Sequence, residues 1–475
     1  MDLNSYLETL EEGTNVYEFL VACYSYIEPK WGNEMRKNYK NLCYSEGCEE
    51  EKKKAALNSI REILEISPIE KWNFYTWILE WKKRICQNKD LADLLIVFTI
   101  EEFDKYIMDF VNNSGTYIDK GPLASKQGYM LYLNMNNTLQ NTALKKNHLR
   151  RSRQILVDNP NDFISVFENF SIIRSCELNG YNVHVLEYNN YNVSEGKVVV
   201  SMIPFDKKAW FEVKPNIQEY SFQIDYSKTN HDAHNKKIID LLYKADRDGA
   251  NIVVFPELVL LPNTEEAITN FLINNQMENL KICFMGSGWK QNKLEPNKNT
   301  NESLVLSSSG TALLRQTKKT PFKLYDKSIG DYMFEDIGFN ADGDKDIKIL
   351  DIKGLGRIAY VICADYNDTK LINIYRLFGV SMICVCAYTT STAEMRKTSE
   401  DAARRFAVTT VLVNGCQKND RREKQTCTYI CAPRPKLRIL DKNVNANFTC
   451  GKEKKCERCQ KNKVLYSNGV IKTLL

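Results

Sequence analysis

Three side chains in this 475-residue sequence have the types and placement needed for nucleophilic chemistry, and each directly follows an apolar run. Glu257 ends the segment NIVVFPE, a lysine (Lys318 or Lys319) follows ALLRQT, and Cys363 follows RIAYVI. A strand's end places a side chain at the rim of a sheet, where clefts form in α/β folds. A thiol there can attack a carbonyl or nitrile carbon. A carboxylate can take the thiol proton and later activate water, and an ammonium can stabilise the oxyanion. Taken alone, Glu257 could simply mark the end of a strand beside Pro256, which cannot donate to a sheet ladder. Its company is what makes it a candidate base.

The elements around these residues alternate. KVVVSMIPF reads as a strand, NHDAHNKKIIDLLYKADRDGA as an amphipathic helix with Asn or Asp caps, and NIVVFPE as the next strand. KICFMGSGW and ESLVLSSSGTALLRQ continue strand-like, the latter as a hairpin turning at Ser307 to Gly310. GRIAYVICADY, a helix around TKLINIYRLFG, VSMICVCAY, a helix around SEDAARRFA and VTTVLVNG follow. Such alternation predicts a layered α/β domain. Cys384 and Cys386 read as core residues of their strand. His231 and His234 stand three apart at a helix start, but no third ligand accompanies them, so they read as surface polar residues.

The segments VVFPEL, LLRQTKKTPF and AYVICADY, in this order, resemble the carbon-nitrogen hydrolase (nitrilase) superfamily. That family carries glutamate in an apolar-Pro-Glu segment, lysine after a hairpin strand, and cysteine in an apolar-Cys-x-Asp/Glu segment. IIDLLYKADRDGA before the glutamate, IYRLFGVSMICVCA after the cysteine and TTVLVNG resemble the family's flanking elements. The resemblance covers about residues 197 to 475. QTKKTPF departs from the family's pattern around its lysine; register with Phe322 selects Lys318, with Lys319 as the alternative. Many members use a second glutamate between lysine and cysteine, and Glu335 is the only glutamate in that interval here.

The resemblance implies an α-β-β-α sandwich that hydrolyses a non-peptide carbon-nitrogen bond, in an amide or nitrile, through a thioester at Cys363. It also implies a homo-oligomer formed through the sandwich and no cofactor for the chemistry. The fold class is therefore α/β, a nitrilase-like sandwich preceded by a mainly helical region. The expected divisions are 1–110 helical, 111–195 mixed and connecting, and 196–475 sandwich with a cysteine-rich basic tail at 416–463. Nitrilase-like domains also occur in larger bacterial assemblies, antiviral ones among them. A regulatory or binding protein that engages protein or nucleic acid is accordingly the alternative reading.

Composition sets the outer limits. The chain is 43% hydrophobic and 26% charged, ordinary for a soluble globular protein. A formal net charge of +5 is too small to argue for nucleic acid by itself. The acidic N-terminus lacks a signal-peptide pattern, and Glu101 and Glu102 cut short the apolar run LADLLIVFTI, so no membrane contact is expected. The protein reads as cytoplasmic, with its 15 cysteines as thiols rather than a disulfide framework. In the tail, Cys450, Cys456 and Cys459, with Cys431 or Cys427 as fourth, could hold a structural zinc; free thiols are the alternative. Trp72, Trp77 and Trp81 form an aromatic stripe that reads as helix-packing core, and Cys43 and Cys48 read as free thiols.

Overall fold

The computed structural model describes residues 1–44, 50–65, 74–114, 122, 124–126, 128–133, 170–188, 197–205, 211–215, 220–291, 299–326, 330–337, 345–352, 355–389, 391–406, 408–415, 426–432, 444–449, 463–467 and 470–474. The chain divides into two compact units, residues 1–135 with 145–180, and 136–144 with 181–475.

Among the described residues the first unit has six α-helices: α1 (Leu3–Glu8), α2 (Val16–Ile27), α3 (Asn33–Tyr44), α4 (Glu50–Glu65), α5 (Phe74–Gln87) and α6 (Ala92–Ser114). A small antiparallel sheet of β1 (Ala124–Lys126), β2 (Tyr129–Leu133) and β3 (Phe170–Arg174) joins them. Helix α2 starts where Asn15 and Glu18 cap each other's backbone N–H groups, a reciprocal arrangement that fixes a helix start. Its apolar face is the centre of the unit. Phe19 meets Trp77, Trp81 and Phe103 edge-on or tilted, at ring separations of 4.9–5.8 Å. The Trp77 and Trp81 ring N–H groups donate to the Ile63 carbonyl and the Thr99 hydroxyl, so burial leaves neither unpaired. Trp77 and Trp81 of the tryptophan stripe are core, as expected; Trp72 and Cys48 lie outside the described residues.

The second unit contains two seven-stranded sheets. In the first, β5 (Lys197–Met202), β8 (Ile252–Val254) and β9 (Ile282–Gln291) run parallel. It continues antiparallel through β10 (Asn299–Ser307) and β11 (Ala312–Thr317), and on the other side through β20 (Lys463–Ser467) and β21 (Val470–Leu474). In the second, β15 (Gly356–Ile362), β16 (Met382–Ala387) and β17 (Thr409–Asn414) are parallel. They are flanked by β14 (Asp346–Ile352) and β4 (Asn182–Tyr188) on one side and by β18 (Thr426–Ala432) and β19 (Val444–Thr449) on the other. Every residue of β15, β16 and β17 is buried, as the unbroken apolar runs of strands covered on both faces require.

The two sheets face each other. Tyr360 of β15 sets its ring edge-on to Phe284 of β9 and accepts the Gly286 N–H at 2.6 Å. Helices α7 (His231–Arg247) and α8 (Thr264–Asn274) bury Ile238, Leu242, Ile268 and Leu272 on the outer face of the first sheet. Helix α10 (Ala393–Phe406) packs on β17 and β18 of the second, and α9 (Thr369–Leu377) packs on the turn Cys363–Asn367 that follows β15. The architecture is the α-β-β-α sandwich expected from the sequence. A separate four-stranded sheet joins β6 (Phe211–Pro215), β7 (Tyr220–Ile224), β13 (Asp331–Glu335) and β12 (Lys323–Asp326).

Two placements differ from the sequence reading. Strand β4, assigned above to a connecting region, pairs in parallel with β14 over seven residues and belongs to the sandwich. The division therefore falls after Gly180, not near 196. His234 is buried rather than on the surface, and its Nε2–H donates to the Val259 carbonyl at 2.7 Å. The segment around Cys427 and Cys431 forms β18 within the second sheet.

The loop after β8, which carries Glu257, is clamped onto β9. Phe255 N–H donates to Phe284 O and Leu260 N–H to Ser287 O. This approach needs glycine at two positions. A Cβ at Gly286 would lie 2.0 Å from the Pro256 carbonyl oxygen, and one at Gly288 would lie 1.9 Å from that of Leu260. Gly286 also has φ +77°, which disfavours any side chain.

Two outcomes follow. A fragment beginning at Tyr181 should unfold at higher denaturant than one beginning at Ser194, which lacks β4. The expected gap is about 3 kcal/mol, from several backbone hydrogen bonds at roughly 1 kcal/mol each; coincident transitions would show that β4 contributes nothing. Gly286→Ala should cost about 3 kcal/mol, because backbone must move away from the added methyl. A thermal midpoint equal to wild type would contradict the clamp.

Candidate functional site

Glu257 lies three residues past β8, Lys318 one past β11, Glu335 at the end of β13 and Cys363 one past β15. Four chain segments far apart in sequence thus deliver their ends to one place. All four side chains are withdrawn from water, with relative exposures of 4, 2, 5 and 1% for Glu257, Lys318, Glu335 and Cys363. The Lys318 ammonium donates to Glu257 Oε1 at 2.8 Å and to Glu335 Oε2 at 2.5 Å. Lys318, not Lys319, is thus the lysine joined to both glutamates; Lys319 contributes its backbone N–H to a neighbouring carboxylate.

Backbone N–H groups also reach both carboxylates. Glu257 Oε2 accepts the Tyr388 N–H at 2.9 Å, just beyond β16. Glu335 Oε2 accepts the Phe322 N–H at 3.0 Å. The Cys363 thiol lies within interaction range of Glu257, of the Lys318 charge and of the Tyr388 N–H. Cys363 itself has φ +47°, a left-handed conformation that costs a non-glycine residue roughly 1–2 kcal/mol. That conformation turns the chain sharply from β15 into the 3₁₀ turn Cys363–Asn367. Leu258, next to Glu257, is also left-handed at φ +66°. Strained backbone thus occurs beside both the thiol and the carboxylate it approaches.

Burial pushes the Glu257 carboxyl up, and the adjacent Glu335 charge adds to this while Lys318 opposes it. Burial alone would lower the Lys318 ammonium, but Glu257 and Glu335 outweigh it and hold that group well above the ordinary lysine value. The Cys363 thiol is raised well above its usual value by burial and then by the Glu257 charge. At neutral pH the sulfur therefore keeps its proton, next to a carboxylate with raised proton affinity. This arrangement suits proton transfer at the moment of attack.

Two residues that the sequence did not single out complete the site. Asn301, fully buried on β10, donates from Nδ2 to Glu257 Oε1 at 2.9 Å and to Glu335 Oε1 at 3.0 Å. Its carbonyl oxygen also accepts the Lys318 N–H at 2.8 Å. Asp365, two residues past the cysteine, accepts the Lys319 and Thr320 N–H groups at 2.6–3.1 Å. It ties the cysteine turn to the lysine loop. Burial lifts the Asp365 carboxyl to about 7 against the pull of those N–H groups and of Lys318. The only sequence signal for Asp365 is its place in ICAD; Asn301 gives none beyond being polar next to an apolar strand.

An apolar cluster borders this polar group. Leu258, Phe222, Trp289, Met333 and Ile337 pack together, with Phe322 and Tyr388 against them. Cys384 and Cys386 are buried within β16, as expected of core residues. Of the candidate zinc ligands, Cys431 is buried in β18, and burial raises its thiol to about 12. Cys450, Cys456 and Cys459 lie outside the described residues. Among the described residues no group of three or more potential ligands is assembled, and no helix is long and apolar enough to cross a membrane.

No protein-family model matches the chain, and no curated protein does. Solved structures similar to it include Nit3 of Saccharomyces cerevisiae, described as a member of branch 10 of the nitrilase superfamily. That match has 13% identity and a TM-score of 0.37, over 54% of this chain and 90% of Nit3. The C. elegans NitFhit protein is similar at 14% identity and TM-score 0.37, over 54% of this chain and 62% of that one. An amidase from Nesterenkonia sp. is similar at 11% identity and TM-score 0.35, over 55% and 93% of the respective chains. Likeness at this level carries no argument about activity.

Proposed function

We propose that the sandwich unit hydrolyses a non-peptide carbon-nitrogen bond, in a small amide or nitrile, with Cys363 as nucleophile. The observation that carries this reading is the meeting of a buried thiol, a carboxylate of raised proton affinity and an ammonium at three strand ends. For an amide, Cys363 Sγ bonds to the carbonyl carbon while its proton passes to Glu257. The Lys318 ammonium and the backbone N–H following Cys363 stabilise the tetrahedral oxyanion. Collapse breaks the carbon-nitrogen bond, and the leaving nitrogen takes the proton from Glu257 and departs as ammonia or amine. Water then attacks the thioester with Glu257 as base, the carbon-sulfur bond breaks, and the proton returns to sulfur as the carboxylic acid leaves. Glu335 holds Lys318 from its other side throughout. No cofactor enters these steps, and association of sandwiches into a homo-oligomer is part of the same proposal.

The test is ammonia release from a panel of small amides and nitriles. Cys363→Ala should abolish turnover. Glu257→Gln should slow it by about 10² to 10⁴-fold, the usual contribution of a positioned acid/base. With a slowly deacylated substrate, intact-mass measurement should find an acyl adduct on wild type and none on Cys363→Ala. An unimpaired rate in Cys363→Ala would remove the nucleophile and the reading with it.

For the cysteine-rich segment we propose a structural zinc held by Cys431, Cys450, Cys456 and Cys459. Four-thiolate sites of this kind take one ion. Elemental analysis should give about one equivalent per chain, and Cys456→Ser should lose it. Protein purified without chelator that holds no metal would leave these residues as thiols.

A further inference from the structure

Two buried carboxylates, Glu257 and Glu335, share a single ammonium, Lys318. Like charges at this range disfavour double ionisation, yet the proposed base must be ionised to take the thiol proton. Asn301 is a neutral side chain that donates to both. Its two Nδ2 hydrogens go to one oxygen of each glutamate, at 2.9 and 3.0 Å. That pattern settles the amide orientation, because carboxylates can only accept and the donor end must face them. Asn301 Oδ1 is accordingly turned away and finds no partner among the described residues. Its backbone carbonyl fixes the N–H of Lys318.

We propose that Asn301 is a positioning residue that holds Glu257 and Glu335 together beside Lys318 and favours the ionised form of Glu257, using hydrogen bonds without adding charge. Neutrality is the point of having an amide here. A second cation would cancel the net negative charge of the cluster and weaken Glu257 as a proton acceptor. An apolar residue would leave Lys318 as the pair's only shared side-chain donor and would remove a hydrogen bond that favours the charged form of Glu257. A neutral double donor stabilises both carboxylates while leaving one net negative charge for the thiol proton to neutralise. Other titratable groups feel the same cluster. Tyr226 is pushed up by burial and by Glu257 and Glu335. Cys386 is raised by burial and by Glu257, and Asp365 feels Lys318. Lys318 and Asn301 both donate to the two glutamates, and removing Asn301 changes neither net charge nor the count of ionisable groups.

The proposal deepens the hydrolase reading, but its test does not depend on turnover. Iodoacetamide is applied to the full chain across pH 5 to 10, and alkylation at Cys363 is followed by peptide mass. The step forms a carbon-sulfur bond, expels iodide and passes the thiol proton to Glu257 or water. Its acidic limb reports the coupled proton affinity of thiol and carboxylates. Hydrogen bonds to the charged form favour it, so deleting them makes the pair hold its proton to higher pH. Asn301→Ala should move that limb upward by about one pH unit, equivalent to roughly one charge-assisted hydrogen bond. Asn301→Ser, which keeps one donor, should move it in the same direction by less, and it serves where the alanine variant does not fold. A purely structural role would lower the thermal midpoint and leave the limb in place. An unmoved limb, or a Cys363 inert at every pH, overturns the proposal. A shifted limb in a protein that releases no ammonia from any amide or nitrile supports Asn301's role while removing the hydrolase reading.

Discussion

The ion triple formed by Glu257, Lys318 and Glu335 is the constraint around which the sandwich unit is arranged. At an effective dielectric of about 20, unit charges some 4 Å apart interact by roughly 4 kcal/mol. Each carboxylate therefore depends on the shared ammonium, and the ammonium on both. None of the three exposes more than 5% of its surface, so water cannot replace a missing partner. This explains why so much backbone is committed to placement. The Pro256 loop is clamped on Gly286 and Gly288, the lysine loop is tied to Asp365, and Tyr388 and Phe322 direct N–H groups at Glu257 Oε2 and Glu335 Oε2. Charges buried together are stable only if every lone pair and proton is satisfied. Here the fold supplies the donors.

Strain is concentrated where that placement is most demanding. Leu258 and Cys363 both occupy the left-handed region, and each adjoins or is a residue of the site. Neither is glycine, so each conformation is held against its own preference by the surroundings. The turn that Cys363 opens is anchored two residues on, where Asp365 accepts the Lys319 and Thr320 N–H groups of the lysine loop. For Leu258 the holding contacts come from the Leu260–Ser287 hydrogen bond and from His234 on the Val259 carbonyl. A buried histidine from α7 thus serves to shape the loop that carries the glutamate.

Much of this was legible in the sequence, for physical reasons that can be named. The runs IAYVI, MICVCA and TTVLVN are apolar without alternation because both faces of their sheet are covered. Charged or thiol residues at the ends of such runs stand out against that background, which is why Glu257, Lys318 and Cys363 could be chosen. Asn301 could not. It bonds to partners 44 and 34 residues away, and no local period encodes such a contact. Strand β4 alternates apolar and polar residues like any half-exposed strand, and its pattern does not say which sheet it joins. His234 failed for a related reason: a histidine at a helix start is usually solvated, and only the packing of α7 on the 257–260 loop buries it.

The protonation pattern constrains how a thiol in this setting can act. Reactive cysteines elsewhere are often held as thiolates by helix N-termini or nearby cations. Cys363 has a cation in range, but Lys318 is already shared by two carboxylates, and burial with the Glu257 charge leaves the thiol raised. A standing thiolate beside Glu257 would place a third negative charge against one ammonium in a site closed to water. The neutral thiol is therefore the resting form. In the proposed reaction sulfur becomes nucleophilic only as its proton reaches Glu257, so bond formation and proton transfer are tied to one carboxylate oxygen. The net negative charge of the cluster drives that transfer. In that proposal, the same charge that makes the site costly to bury is what lets Glu257 act as a base.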